Sequence, residues 1–109
     1  MLIKGDPNHW VSIYVDKVYD KEFCYYDSYG KDNSHVKDLA KQYQEMSDLP
    51  FRLKYKYNAK QYQDYDTDTC ALFAMNYLIS RYFGHDHAES SFYTEDKAEK
   101  AKNILFEDL

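Results

Sequence analysis

Apolar and polar residues alternate from Val11 to Val18, with Val11, Ile13 and Val15 on one face and Ser12, Tyr14 and Asp16 on the other. A period of two predicts a strand with one face turned to a core. Tyr19 to Glu22 is polar and turn-like, and Phe23 to Tyr26 reads as a second strand. The short connection predicts a hairpin. Ser28 to Asn33 holds Gly30 and several turn formers, so it is a loop. The period then changes. Val36, Leu39, Ala40, Tyr43 and Met46 form one helical stripe, which predicts a helix from about Ser34 to Met46, capped by Asn33 or Ser34. Phe51, Leu53, Tyr55 and Tyr57 alternate with Arg52, Lys54 and Lys56, the cleanest strand pattern in the chain.

Asn58 to Asp68 is a polar loop rich in Gln, Asp and Tyr. A mostly apolar run from Cys70 to Phe83, stopped by Gly84, predicts a helix lying in the centre of the fold. Gly84 to Ser91 reads as loop. A final helix is expected from Thr94, its cap, to about Phe106, with Glu95 and Asp96 matching the helix dipole in the first turn. The expected class is α+β: a small mixed or antiparallel sheet, hairpin plus one further strand, packed on a central helix that begins at Cys70.

Composition narrows the classes. A chain of 109 residues suits one domain with a modest core. Hydrophobic residues at 44% and charged residues at 30% describe a globular chain, not a disordered one. Thirteen Tyr can serve core and groove alike, each having an apolar body and a polar tip. A net charge of −5 argues against nucleic acid as a partner, since such binding neutralises phosphates with Lys and Arg. No run approaches the ~20 apolar residues of a membrane helix, and Met1 to Gly5 lacks the apolar stretch of a signal peptide. An intracellular setting, cytoplasm or nucleus, is expected. Cys24 and Cys70 then read as thiols, not a disulfide. His85-Asp86-His87 has no further ligands close by in sequence, so neither a metal nor a cofactor is expected.

One set of residues carries chemistry. Thiol catalysis needs a thiolate, a base, a group that orients the base, and an oxyanion donor. Cys70 opens a helix, where the partial positive charge of the N-terminus lowers a thiol pKa. His9 comes just before the first strand of the hairpin and Asp27 ends the second, so the two should be neighbours in space. Gln63 lies in the loop leading to Cys70 and carries an amide that can donate to an oxyanion. Gln61 is its nearby substitute.

These residues stand in segments that resemble a known family. His9-Trp10-Val11-Ser12-Ile13-Tyr14 is similar to the His-Trp strand of adenain and of the ubiquitin-like-protein (SUMO) proteases. Tyr25-Tyr26-Asp27-Ser28-Tyr29-Gly30 resembles their strand ending in an acidic residue, often followed by Ser. Gln63 through Cys70-Ala71-Leu72-Phe73 resembles their Gln-loop-Cys-Gly-Leu-Phe segment. The Gln-to-Cys interval is that of adenain; the cellular SUMO proteases usually have one residue fewer. The order His, Asp, Gln, Cys is the family's, and the likeness runs from about Asn8 to Phe83.

The resemblance implies a cysteine peptidase that cuts peptide or isopeptide bonds at Gly-containing sites. Its substrate would be a viral polyprotein or the tail of a ubiquitin-like protein, in a host cell if the chain is viral. By the same resemblance His9 is the base, Asp27 orients it, Cys70 is the nucleophile, Gln63 completes the oxyanion hole and Trp10 lines the substrate site. Two positions depart from the pattern. Ala71 stands where the family has Gly, and Thr69 where SUMO proteases often have Asp. The family also has a substantial helical segment before the His. Residues 1–109 are therefore expected to be a single catalytic domain that is minimal or truncated. Alone, such a chain is expected to self-associate or to show weak activity, with an upstream segment or a partner protein covering the Leu72–Phe83 helix and raising the activity. Two other functions fit the same residues: a noncatalytic module that binds a ubiquitin-like protein or another partner, and an acetyltransferase on the same scaffold.

Overall fold

The computed structural model describes residues 2–4, 9–64 and 67–106. Four strands, β1 (Leu2–Lys4), β2 (Trp10–Asp16), β3 (Glu22–Tyr26) and β4 (Lys54–Tyr57), form one sheet in the order β1-β2-β3-β4. Four helices accompany it: α1 (Ser34–Met46), α2 (Cys70–Tyr82), α3 (His87–Ser91) and α4 (Glu95–Phe106). The β1–β2 and β2–β3 pairs are antiparallel and β3–β4 is parallel, so the sheet is mixed and the class α+β, as expected.

The alternation in β2 and β3 decides which helix covers which face. Val11, Ile13, Phe23 and Tyr25 point to α1, where they pack with Val36 and with partly buried Ala40 and Tyr43. Cys24 and Tyr26 point the other way, to Leu72, Phe73 and Tyr77 of α2 and Ala98 of α4. Tyr26 and Tyr77 stack with ring centroids 4.7 Å apart. Ser12, on the same face, donates its hydroxyl to the Ala74 carbonyl at 2.7 Å and ties α2 to the sheet.

Local chemistry sets the element ends. Asp16 closes β2 because its carboxylate accepts the N–H groups of Val18, Tyr19 and Asp20, which turns the chain before the expected strand end at Val18. Asn33 caps α1, its side chain accepting from the His35 and Val36 amides. Thr94 caps α4 through the Lys97 amide.

Several expectations need correction. The strand expected from Phe51 starts only at Lys54. The Gln44 amide of α1 takes the main chain ahead of it, donating to the Phe51 carbonyl and accepting from the Leu53 amide. The segment expected as loop contains α3, capped by Asp86 through the Glu89 amide. On α1, Leu39 and Met46 of the expected apolar stripe are exposed. On α2 the single cation, Arg81, is buried: it sits 3.6 Å from Asp16 and 4.6 Å above the Tyr14 ring. Met75, Ile79 and Tyr82 leave one side of α2 exposed and apolar. No helix among the described residues is long and apolar enough to cross a membrane.

Candidate active site

His9 immediately precedes β2 and Asp27 immediately follows β3. Ser12 faces Tyr26 across the antiparallel ladder, so these two flanking residues meet at one end of the hairpin. His9 Nε2 lies 2.7 Å from Asp27 Oδ1, with both side chains mostly buried. The Tyr29 amide donates to the same oxygen at 2.9 Å. A carboxylate holding Nε2–H leaves Nδ1 as the lone-pair nitrogen. That Nδ1 is buried and has no hydrogen-bond partner among the described residues. The Tyr29 ring stacks on the imidazole, 4.4 Å between centroids and 10° from parallel, and fixes its plane.

Cys70 is the first residue of α2 and is buried. The Trp10 amide donates to its Sγ at 3.4 Å. The sulfur therefore lies against the residue next to His9, although the two are far apart in sequence. The Trp10 side chain remains partly exposed. Ahead of the helix, the Thr69 carbonyl accepts the Leu72 and Phe73 amides. Ala71 sits in ordinary helical backbone, so the left-handed freedom of glycine is not needed there. Thr69 donates its hydroxyl to Glu95 Oε2 at 2.6 Å. A carboxylate thus reaches this position from α4, although residue 69 itself carries none.

Gln63 is fully buried beside this loop. Its Oε1 accepts from the Ser28 hydroxyl at 2.5 Å, and its Nε2 donates to the Thr67 carbonyl and hydroxyl at 3.2 and 3.1 Å. The Tyr62 and Gln63 amides both donate to the Ser28 carbonyl. Gln63 therefore binds the Asp27–Gly30 turn to the approach to Cys70. Gln61 is exposed and spends its amide on the Gln63 carbonyl. Gly30 makes the turn possible: its φ is +73°, and a Cβ there would lie 2.6 to 2.8 Å from the main chain of Lys60 and Gln61.

Sequence reasoning missed three residues that shape the site: Tyr29 on the imidazole, Asn58 on the Asp27 main chain, and Glu95 on Thr69. Each acts by a long-range contact, and only the polar residue directly after an alternating strand, Asn58, left any local sign. His85 and His87 do not converge. His85 bonds Glu89 and His87 bonds the Tyr77 hydroxyl.

The two thiols differ in surroundings. Burial pushes the Cys24 thiol up to about 11, which leaves about one thiolate in 10⁴ at neutral pH. Limiting iodoacetamide at pH 7 should therefore modify Cys70 at least about tenfold faster than Cys24. Peptide mass spectrometry reads the ratio directly, and preferential labelling of Cys24 would reject Cys70 as the reactive thiol.

No curated protein and no solved structure matches this chain. A family model does: the one described as the Ulp1 protease family, C-terminal catalytic domain, matches residues 1–109. That match spans the hairpin end holding His9 and Asp27 as well as the helix that opens at Cys70. By it, the chain belongs to the Ulp1 protease family, as a cysteine-protease catalytic domain of the ubiquitin-like-protein type.

Proposed function

We propose that this chain cleaves peptide or isopeptide bonds after Gly-containing tails of ubiquitin-like proteins, with Cys70 as nucleophile, His9 as base and Asp27 as its orienting carboxylate. The observation that carries the reading is the 2.7 Å His9–Asp27 bond. It leaves Nδ1 without a hydrogen-bond partner among the described residues, on a residue whose neighbour's amide touches the Cys70 sulfur. Nδ1 takes the thiol proton and the thiolate attacks the scissile carbonyl, forming a C–S bond and an oxyanion. The C–N bond then breaks, and the leaving amine takes the proton back from Nδ1. Water, deprotonated by the same nitrogen, cleaves the thioester and restores the thiol.

The Trp10 amide and the Gln63 side chain are the oxyanion donors in this reading. Both Gln63 Nε2 bonds to Thr67 are longer than 3 Å. Exchange of one of them for a charged oxygen is favourable, because charge-assisted hydrogen bonds are roughly twice as strong as neutral ones. The Trp10 ring forms one wall of a substrate groove that favours Gly. Of the two substrate types, ubiquitin-like tails are the better fit to the family match.

The test is a probe made of a ubiquitin-like protein whose C-terminal Gly carries an electrophile. Covalent labelling at Cys70, lost on prior alkylation, is expected. Tight binding without labelling would instead indicate a noncatalytic module, and acetyl transfer from acetyl-coenzyme A without labelling would indicate the transferase.

A further inference from the structure

We propose that Asn58 is a positioning residue: its side-chain amide takes the place of a strand partner for Asp27 and so sets where the Asp27 carboxylate meets His9. The proposal rests on the reading of His9, Asp27 and Cys70 as the working set.

The parallel pairing of β3 with β4 runs from Glu22↔Lys54 to Tyr25↔Tyr57 and stops there. Asp27 lies beyond the reach of that ladder, yet it is 95% buried and its main chain needs partners. Asn58, the residue after β4, supplies them. Its Oδ1 accepts the Asp27 N–H at 2.9 Å, and its Nδ2 donates to the Asp27 carbonyl at 2.5 Å. A primary amide presents an acceptor and a donor side by side, like a peptide edge, so one side chain continues the sheet by one residue. The same Nδ2 reaches the Lys60 carbonyl at 3.2 Å. Asn58 therefore also anchors the stretch of main chain against which Gly30 packs.

The geometry turns this clamp into aim. Asp27 Oδ1 must serve two fixed donors, His9 Nε2 and the Tyr29 amide. A carboxylate on a short side chain can do so only if its own Cα is held still. The Gly30 amide bonds the Asp27 carbonyl as well, but for the Asp27 N–H the partner is the Asn58 side chain. Asn58 is itself buried, and three of its four amide hydrogen-bond capacities are used in this corner.

The variant that separates aim from bulk is Asn58→Asp. It keeps shape and the acceptor, but sets a carboxylate oxygen against the Asp27 and Lys60 carbonyls. The measurement is the rate of Cys70 alkylation by iodoacetamide from pH 5 to 9. It is compared for the unsubstituted protein, Asn58→Asp and His9→Ala, below the melting temperature of each. Loss of His9 should lower the rate at pH 6 about tenfold for each unit the thiol pKa rises. Asn58→Asp should move the profile toward that of His9→Ala, with at least about a threefold loss at pH 6. A merely structural role would lower the melting temperature and leave the profile in place, which would overturn the proposal but not the role of His9. Coincidence of the unsubstituted and His9→Ala profiles would remove both. If Asn58→Asp does not fold, hydrogen exchange of the Asp27 amide in the unsubstituted protein decides. Protection comparable to the β3 amides supports the clamp, and exchange at the rate of an exposed loop overturns it.

Discussion

Cys70→Ala and His9→Ala should each lower turnover of a ubiquitin-like substrate by about 10⁴-fold or more, because members of a nucleophile–base unit fail together when either is removed. Neither loss should come from unfolding. Cys70→Ala removes one buried sulfur, which costs roughly 1 kcal/mol, a fraction of the stability of an ordinary domain. Asp27→Asn is the more discriminating variant. An amide Nδ2 facing His9 would favour the tautomer that carries its proton on Nδ1, the nitrogen that has to accept one from the thiol. In that orientation the Tyr29 amide loses its acceptor, because a single oxygen, Oδ1, serves both donors in Asp27. In the flipped orientation Oδ1 stays on both, but the neutral amide no longer supplies the negative charge that stabilises an imidazolium. A loss of about 10²- to 10⁴-fold is expected with the fold intact, as wrong-tautomer substitutions give elsewhere. Steady-state kinetics with far-UV circular dichroism reads both effects. Near-normal turnover in His9→Ala would discard the proposed role of the imidazole.

Gly30→Ala should destabilise the protein far more than Gly84→Ala. Two independent costs coincide at this position. The backbone is left-handed at φ +73°, where an L side chain costs roughly 1–2 kcal/mol. The added Cβ would also meet Lys60 C and O and Gln61 N at 2.6 to 2.8 Å, and main-chain atoms cannot swing aside as a side-chain tip can. Overpacking of this kind costs a further 1–3 kcal/mol or so. The sum, about 2–5 kcal/mol, corresponds to a fall in melting temperature of about 10 °C or more for a chain of this size. Relief would come by parting the Asp27–Gly30 turn from the Lys60–Gln63 segment, so activity should fall beyond what the lost stability explains. By contrast, Gly84→Ala meets nothing within 4 Å and carries only the backbone cost of its positive φ. Thermal melts of the two variants side by side provide the check, and equal destabilisation would show that the contact with Lys60 is not tight.

The hairpin, α1, α2 and α4 were legible because each announces itself by period and end signals within a few residues. Val11, Ile13 and Val15 give the two-residue period, Asn33 and Thr94 mark helix starts, and Gly84 follows the end of α2. The meeting of His9 with Asp27 was legible for the same reason, since a hairpin brings the start of one strand beside the end of the next. The limits of β4 were not. Alternation from Phe51 says that a strand is favoured, but Gln44, on a different element, captured the Phe51 and Leu53 main chain first. The parallel direction of β4 likewise depends on the path that α1 imposes between β3 and β4.

The sequence by itself determined the α+β class, the succession of β2, β3, α1, β4, α2 and α4, and the residue types able to run thiol chemistry, because period, capping and motif spacing are local properties of the chain. Neither the short β1 nor α3 was legible in it. Tertiary structure decided which nitrogen of His9 bonds the Asp27 carboxylate and what lies on the Cys70 sulfur. It also decided that Gln63 is engaged with Ser28 and Thr67, and that Asn58 holds Asp27. The physical reason is range. A hydrogen bond is won by whichever donor lies within about 3 Å with the right direction, and for groups tens of residues apart only the packing of β2, β3 and β4 around α1 and α2 sets that distance.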